Sequence, residues 1–124
     1  MEKKKILVVD DEESFAQMVK LNLEETGKYE VMVETKGKEV ILTAKRFKPD
    51  LIFLDIVMPD VDGGEIVQKM KSDEDLKDTP VVFLTALVTE KEVKSQEGVI
   101  AGRPFLAKPV TTQQLIEYIE KYIR

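Results

Sequence analysis

Short apolar runs separated by stretches of helical periodicity leave this chain few folds to choose from. Ile6-Leu7-Val8-Val9, Leu51-Ile52-Phe53-Leu54 and Val81-Val82-Phe83-Leu84 are each continuous, without the apolar–polar alternation of a half-wet strand. Such runs fit strands covered on both faces, which is the condition of a parallel sheet. Pro104-Phe105-Leu106-Ala107 is a shorter run of the same kind, and Tyr29 to Val33 alternates, as a strand nearer an edge does.

Between the strands, Phe15, Met18, Val19, Asn22 and Leu23 form an i, i+3, i+4, i+7, i+8 stripe with Asn22 as its one break, and Gly27 stops it. Gly37 opens a second helical stretch with Val40, Ala44 and Phe47 on one face, closed by Pro49-Asp50. A third helix follows Gly63-Gly64 with Ile66 and Met70 inward, and Thr111 with Gln114 caps a last one carrying Leu115, Ile119 and Tyr122. Thr89 to Ala101 is a weaker helical segment: Thr89 and Glu92 suit a capping box, but Gly98 lies inside and the apolar face is thin. The expected fold is α/β, a (βα)5 doubly wound five-stranded parallel sheet with right-handed crossovers. No linker or low-complexity segment divides the 124 residues, so one domain over 1–124 is expected, with no output domain in the chain.

In open sheets of this type ligands sit outside the carboxyl ends of the strands. Here those ends carry Asp10-Asp11-Glu12, Asp55, Thr85-Ala86 and Lys108-Pro109. An isolated Asp after a strand is most often a helix cap, a lone Lys a solvated surface group, and a lone Thr a hydroxyl bonded to backbone. Four complementary strand ends would need four such separate explanations. Neighbouring carboxylates repel one another and resist ionisation unless a cation lies among them.

Composition narrows what that cation and chemistry can be. The chain has no Cys and no His, which removes thiol nucleophiles, thiolate and imidazole metal sites, and Ser-His or Cys-His pairs. Only hard oxygen donors remain, and Mg2+ suits them best. A net charge of -5 argues against a broad face for nucleic acid. No apolar run approaches the roughly 18 residues of a membrane span, so a soluble, cytoplasmic protein is expected. Mg2+, a carboxylate nucleophile, a hydroxyl and a lysine form a set that handles phosphoryl groups and suits an aspartyl-phosphate.

The blocks Leu7-Val8-Val9-Asp10-Asp11-Glu12, Asp55-Ile56-Val57-Met58-Pro59-Asp60-Val61-Asp62-Gly63, Leu84-Thr85-Ala86 and Phe105-Leu106-Ala107-Lys108-Pro109 together resemble the receiver domain of two-component response regulators. They do so in order along essentially the whole chain. The resemblance implies the flavodoxin-like strand order 2-1-3-4-5 and a phosphorylation-activated switch, not an enzyme with an outside substrate. It implies that Asp55 is the phosphoacceptor, that Asp11 binds Mg2+ directly, and that Asp10 does so mostly through water. It also implies that the Val57 carbonyl completes the protein's share of the metal shell. Thr85 would bond the phosphoryl group, Lys108 would pair with it, and the Lys108–Pro109 peptide would be cis. Phe105 matches the aromatic switch position, though a plain core role explains it equally well.

The implied donor is a phosphohistidine on a sensor histidine kinase or a histidine phosphotransfer protein. Because these 124 residues include no histidine, that donor is expected on a different protein. Phosphorylation would draw Thr85 inward and alter the face of the fourth helix, fifth strand and fifth helix, which a downstream protein target reads. The Thr89 to Ala101 segment is expected to be the mobile element. Apolar Val57 and Leu87, two residues beyond Asp55 and Thr85, are expected to exclude water and prolong the phosphoaspartate. Ile116, Tyr118 and Ile123 would support a phosphorylation-dependent homodimer or simply pack the last helix.

Two features depart from the family pattern. Position 105 is Phe and offers no hydroxyl, and Arg103-Pro104 precedes it. Both bear on output, not on phosphorylation. Two other readings stay open: a haloacid-dehalogenase-like Mg2+ phosphatase, and a docking module that works unphosphorylated. The first would want an Asp-x-Asp after the first strand, whereas Asp10 and Asp11 are adjacent. The complete acid set weighs against the second. A flavin binder would want a Gly-rich, hydroxyl-bearing first loop where this chain has acids.

Overall fold

In a computed structural model, residues 3–56, 58–61, 63–86, 99–100 and 103–123 are described, with the side chains of all but Thr85, Val99, Ile100 and Arg103. In chain order they form β1 (Lys4–Val9), α1 (Glu13–Glu24), β2 (Tyr29–Glu34), a 3-10 turn (Gly37–Glu39) and α2 (Val40–Phe47). β3 (Leu51–Asp55), α3 (Gly63–Lys71), β4 (Val81–Thr85), β5 (Val99–Ile100), β6 (Arg103–Ala107) and α4 (Thr112–Tyr122) follow.

The sheet runs β2-β1-β3-β4-β6-β5. Its five longer strands are all parallel, so among them the order is the expected 2-1-3-4-5. Register aligns the chemistry-bearing ends: Val9 pairs with Leu54, Asp55 with Leu84, and Thr85 with Ala107. Asp10, Asp55, Thr85 and Lys108 thereby come out at one edge.

The continuous apolar runs have a simple cause. Successive side chains of a strand point to opposite faces, and here both faces are covered. Leu7, Val9, Ile52, Leu54, Phe83 and Phe105 pack with Val40, Ala44 and Phe47 of α2 and Ile66, Val67 and Met70 of α3. Ile6, Val8, Leu51, Phe53, Val82, Leu84 and Leu106 pack on the other side with α1 and α4, through Ala16, Val19, Leu23, Leu115 and Ile119. Fully burying an aliphatic or Phe side chain contributes about 1.5–3 kcal/mol relative to exposure, so these two layers hold the strand ends in place. On β2, Tyr29 and Val31 are buried while Met32 is exposed, as the alternation in the sequence suggests for an edge.

Two local readings change. The inner face of α1 is Ala16, Val19 and Leu23, and Met18 is 47% exposed. Val19 and Leu23 face inward as the stripe expects and Phe15 packs beside them, but Ala16 takes the buried place expected of Met18, since the smaller side chain fits closer to the sheet. The second change is β5, a two-residue strand antiparallel to β6 that pairs Val99 with Pro104 and Ile100 with Arg103. Val99 and Ile100 lie within the segment Thr89 to Ala101 expected to be the fourth helix, whose residues 89–98 and 101 fall outside those described. Pro104 precedes Phe105, where β6 begins to pair with β4, so that ladder loses no donor to it.

The last helix starts as its sequence promises. The Thr111 hydroxyl accepts the Gln114 amide at 3.1 Å, and the Gln114 side chain accepts the Thr111 amide at 2.8 Å. This reciprocal cap fixes where the chain turns after Lys108–Pro109.

Candidate functional site

Asp10 leaves β1 fully buried, and both of its carboxylate oxygens are engaged. Oδ1 accepts the Glu12 amide at 3.0 Å, and Oδ2 accepts Lys108 Nζ at 2.5 Å. A buried carboxylate persists only where such partners replace water. Asp55, 7% exposed at the end of β3, lies 3.8 Å from the same ammonium. Asp11 is exposed beside them. Asp10, Asp11 and Asp55 each offer an oxygen within 4.8 Å of the others. Glu12 lies outside this trio and occupies the N-cap position of α1.

The donor set fits a hard divalent cation. Three carboxylates share one partly open corner, with no imidazole or thiolate in the chain, and one side of the corner is lined by exposed Asp11, where retained waters have room. Mg2+ matches this chemistry better than the softer metals. The single ammonium of Lys108 offsets part of the trio's negative charge.

The loop after Asp55 is fastened at both ends of its described part. The Gly63 amide donates to the Ile56 carbonyl at 2.9 Å. A Cβ on Gly63 would come within 2.9 Å of the Asp55 carbonyl oxygen, so only glycine permits this approach. Asp60 reaches across to the 3-10 turn, accepting the Gly37 amide at 3.2 Å and the Lys38 amide at 3.1 Å. The Lys38 amide, seconded by that of Gly37, holds the Asp60 carboxyl below the usual carboxylate range despite some desolvation. Gly37 has no room for a side chain, since a Cβ would lie 2.0 Å from Val61 Cγ1.

Lys108 is confined from a further side. Its Nζ sits 4.4 Å from the centroid of the Phe15 ring, in the first turn of α1, and its side chain is 18% exposed. The Lys108–Pro109 peptide bond is cis. Phe105 is fully buried in the cluster shared by Leu54, Met58 and Phe83.

Of the site residues named from sequence, Asp10, Asp11, Asp55 and Lys108 come together. Thr85 ends β4 at the same edge. The Val57 carbonyl, the Leu87 side chain and most of Thr89 to Ala101 lie outside the described residues. Phe15 and the Asp60–Gly37 link were missed. In the sequence Phe15 stands out only as part of a helix stripe, and nothing in local periodicity pairs a residue of α1 with one after β6.

Comparison with known proteins agrees with this geometry. Residues 6–120 match the model of the response regulator receiver domain. The chain belongs to that family. Receiver domains of this family are phosphorylation-dependent signalling modules that interact with histidine kinases and downstream targets. The chain is 34% identical over 122 residues to the alkaline phosphatase synthesis transcriptional regulatory protein PhoP of Bacillus subtilis, covering 98% of the chain and 49% of that protein. It is 32% identical over 121 residues to the polar-differentiation response regulator DivK of Brucella ovis, covering 97% of the chain and 96% of DivK. It therefore spans about half of the first relative and nearly all of the second. Among solved structures, the Vibrio cholerae chemotaxis protein CheY4 superposes with a TM-score of 0.83 at 31% identity, over 98% of this chain and all of that one. In the receiver described here, no helix among the described residues is long and apolar enough to cross a membrane.

Proposed function

We propose that this receiver accepts a phosphoryl group on Asp55 from a histidine kinase or histidine phosphotransfer protein, in the presence of Mg2+, and relays that change to a downstream protein. The observation that carries the reading is Lys108 Nζ reaching both Asp10, at 2.5 Å, and Asp55, at 3.8 Å, two of the three clustered carboxylates.

An Asp55 carboxylate oxygen attacks phosphorus. The O–P bond forms as the donor's P–N bond breaks, and its electron pair returns to the imidazole nitrogen, which takes a proton from solvent. Asp10, Asp11 and Asp55, with the Val57 carbonyl as the family resemblance implies, would hold Mg2+. When bound, the ion supplies positive charge against the phosphoryl oxygens. Lys108, paired with Asp10 and 3.8 Å from Asp55 Oδ2, has a short way to travel to an oxygen of the arriving group, and its charge suits the trigonal oxygens of a loose transition state. Thr85, at the end of β4, is the hydroxyl assigned to the phosphoryl group. Phe105, continuous with the core through Phe83, is the residue that would pass a shift at Thr85 to β6 and α4. Apolar Val57 and Leu87 suit a slow loss of phosphate. The cytoplasmic location and the phosphorylation-dependent homodimer through Ile116, Tyr118 and Ile123 belong to the same reading.

Incubation with acetyl phosphate and Mg2+, followed by intact mass, tests it. One added phosphoryl group that Asp55→Asn abolishes is expected. Continuous hydrolysis of an unrelated phosphoester, with no adduct retained, would instead favour a phosphatase.

A further inference from the structure

Lys108 faces a problem that its carboxylate partners do not solve. It is held by Asp10 at 2.5 Å, yet its proposed task lies at Asp55, 3.8 Å away. A lysine carries its charge on a flexible four-carbon stem. Released from Asp10, it would have all of solvent to explore before meeting a phosphoryl oxygen.

The Phe15 ring closes that escape, since Nζ lies 4.4 Å from its centroid. An aromatic face attracts a cation through its quadrupole and asks no particular hydrogen-bond direction of it. The ammonium can therefore exchange one oxygen partner for another while staying on the ring. Phe15 is itself fixed at its base, because it belongs to the first turn of α1 and packs against the core shared by α1 and α4. It thus offers a rigid surface beside a mobile charge.

We propose that Phe15 is a positioning residue for Lys108, holding the ammonium at the strand edge as it passes from Asp10 to a phosphoryl group on Asp55. The inference rests on the phosphoacceptor function of Asp55. It concerns this chain's own side chains, and its first sign is visible before any phosphate is present.

The test combines spectroscopy and a mutant cycle. In the unphosphorylated protein the Lys108 ε-methylene resonance should lie upfield through the ring current of Phe15, and Phe15→Leu should remove that shift. With acetyl phosphate and Mg2+ the Phe15→Leu protein should be labelled roughly five-fold more slowly, and Phe15→Tyr should recover most of the rate. In a Lys108→Ala background, Phe15→Leu should have almost no further effect. Acetyl phosphate delivers the phosphoryl group without a partner protein, so a role of Phe15 in kinase docking cannot produce this pattern. An unshifted Lys108 resonance, equal rates for wild type and Phe15→Leu, or the same loss in the Lys108→Ala background would overturn the proposal. Labelled wild type with silent Phe15 variants would remove only this inference, whereas unlabelled wild type would remove the Asp55 reading and this one with it.

Discussion

Lys108 and Asp10 illustrate what a single residue can do at this edge. Their ion pair, almost closed to solvent, gives a buried carboxylate a partner and holds an ammonium 3.8 Å from Asp55. Truncating one partner of such a pair leaves the other uncompensated. Lys108→Ala should therefore slow acetyl phosphate labelling by about 10²–10³-fold, the usual cost of removing one preorganised donor. Labelling within two-fold of wild type would show that Lys108 is a bystander. These residues were legible in the sequence because each directly follows an apolar strand, where the topology alone says they must meet. Phe15 was not, since its partner is ninety-odd positions away and cation–ring contacts leave no periodic trace. Asp60 was hidden in a loop where, with Pro59, Asp62 and Gly63, it reads as one turn former among several.

At the scale of elements, the loop after β3 and the 3-10 turn before α2 act as a joined pair. Asp60 accepts two amides of the turn, and Gly37 lets Val61 approach. Because the fold holds the Asp60 carboxyl below its ordinary value, its contribution to stability is fully present above the unfolded Asp value of about 3.9. It is lost as pH falls through the lower folded value. Urea unfolding of wild type and Asp60→Asn should thus show a clear gap at neutral pH that narrows below about pH 4. A gap independent of pH would contradict this account. Strand positions were readable from their runs, and the cap of α4 from Thr111 and Gln114. On α1, Val19 and Leu23 were readable but the burial of Ala16 in place of Met18 was not, because burial there follows closeness to the sheet more than hydrophobicity. β5 was missed for a related reason: two residues are too few to establish a period.

The whole molecule is a balance between a doubly covered sheet and a charged edge that the sheet itself assembles. The strand order sets β1 beside β3, and that adjacency gathers Asp10, Asp11 and Asp55 within 4.8 Å of one another. Clustered carboxylates repel one another unless a cation lies among them, so the Mg2+ proposed for this corner should stabilise the fold. Thermal unfolding should rise with added Mg2+, by about 2.7 kcal/mol at a hundred-fold excess over the dissociation constant. Asp11→Asn should be more stable than wild type without Mg2+ and gain much less from it. A wild type indifferent to Mg2+ would argue that the trio holds no ion. The central claim, that this edge exists to receive a phosphoryl group on Asp55, has a more direct test. The protein is treated with acetyl phosphate and Mg2+, reduced with borohydride and mapped by peptide mass spectrometry. Conversion of residue 55 alone to homoserine is the result expected of an aspartyl-phosphate there. No conversion, or conversion at a different carboxylate, would contradict it.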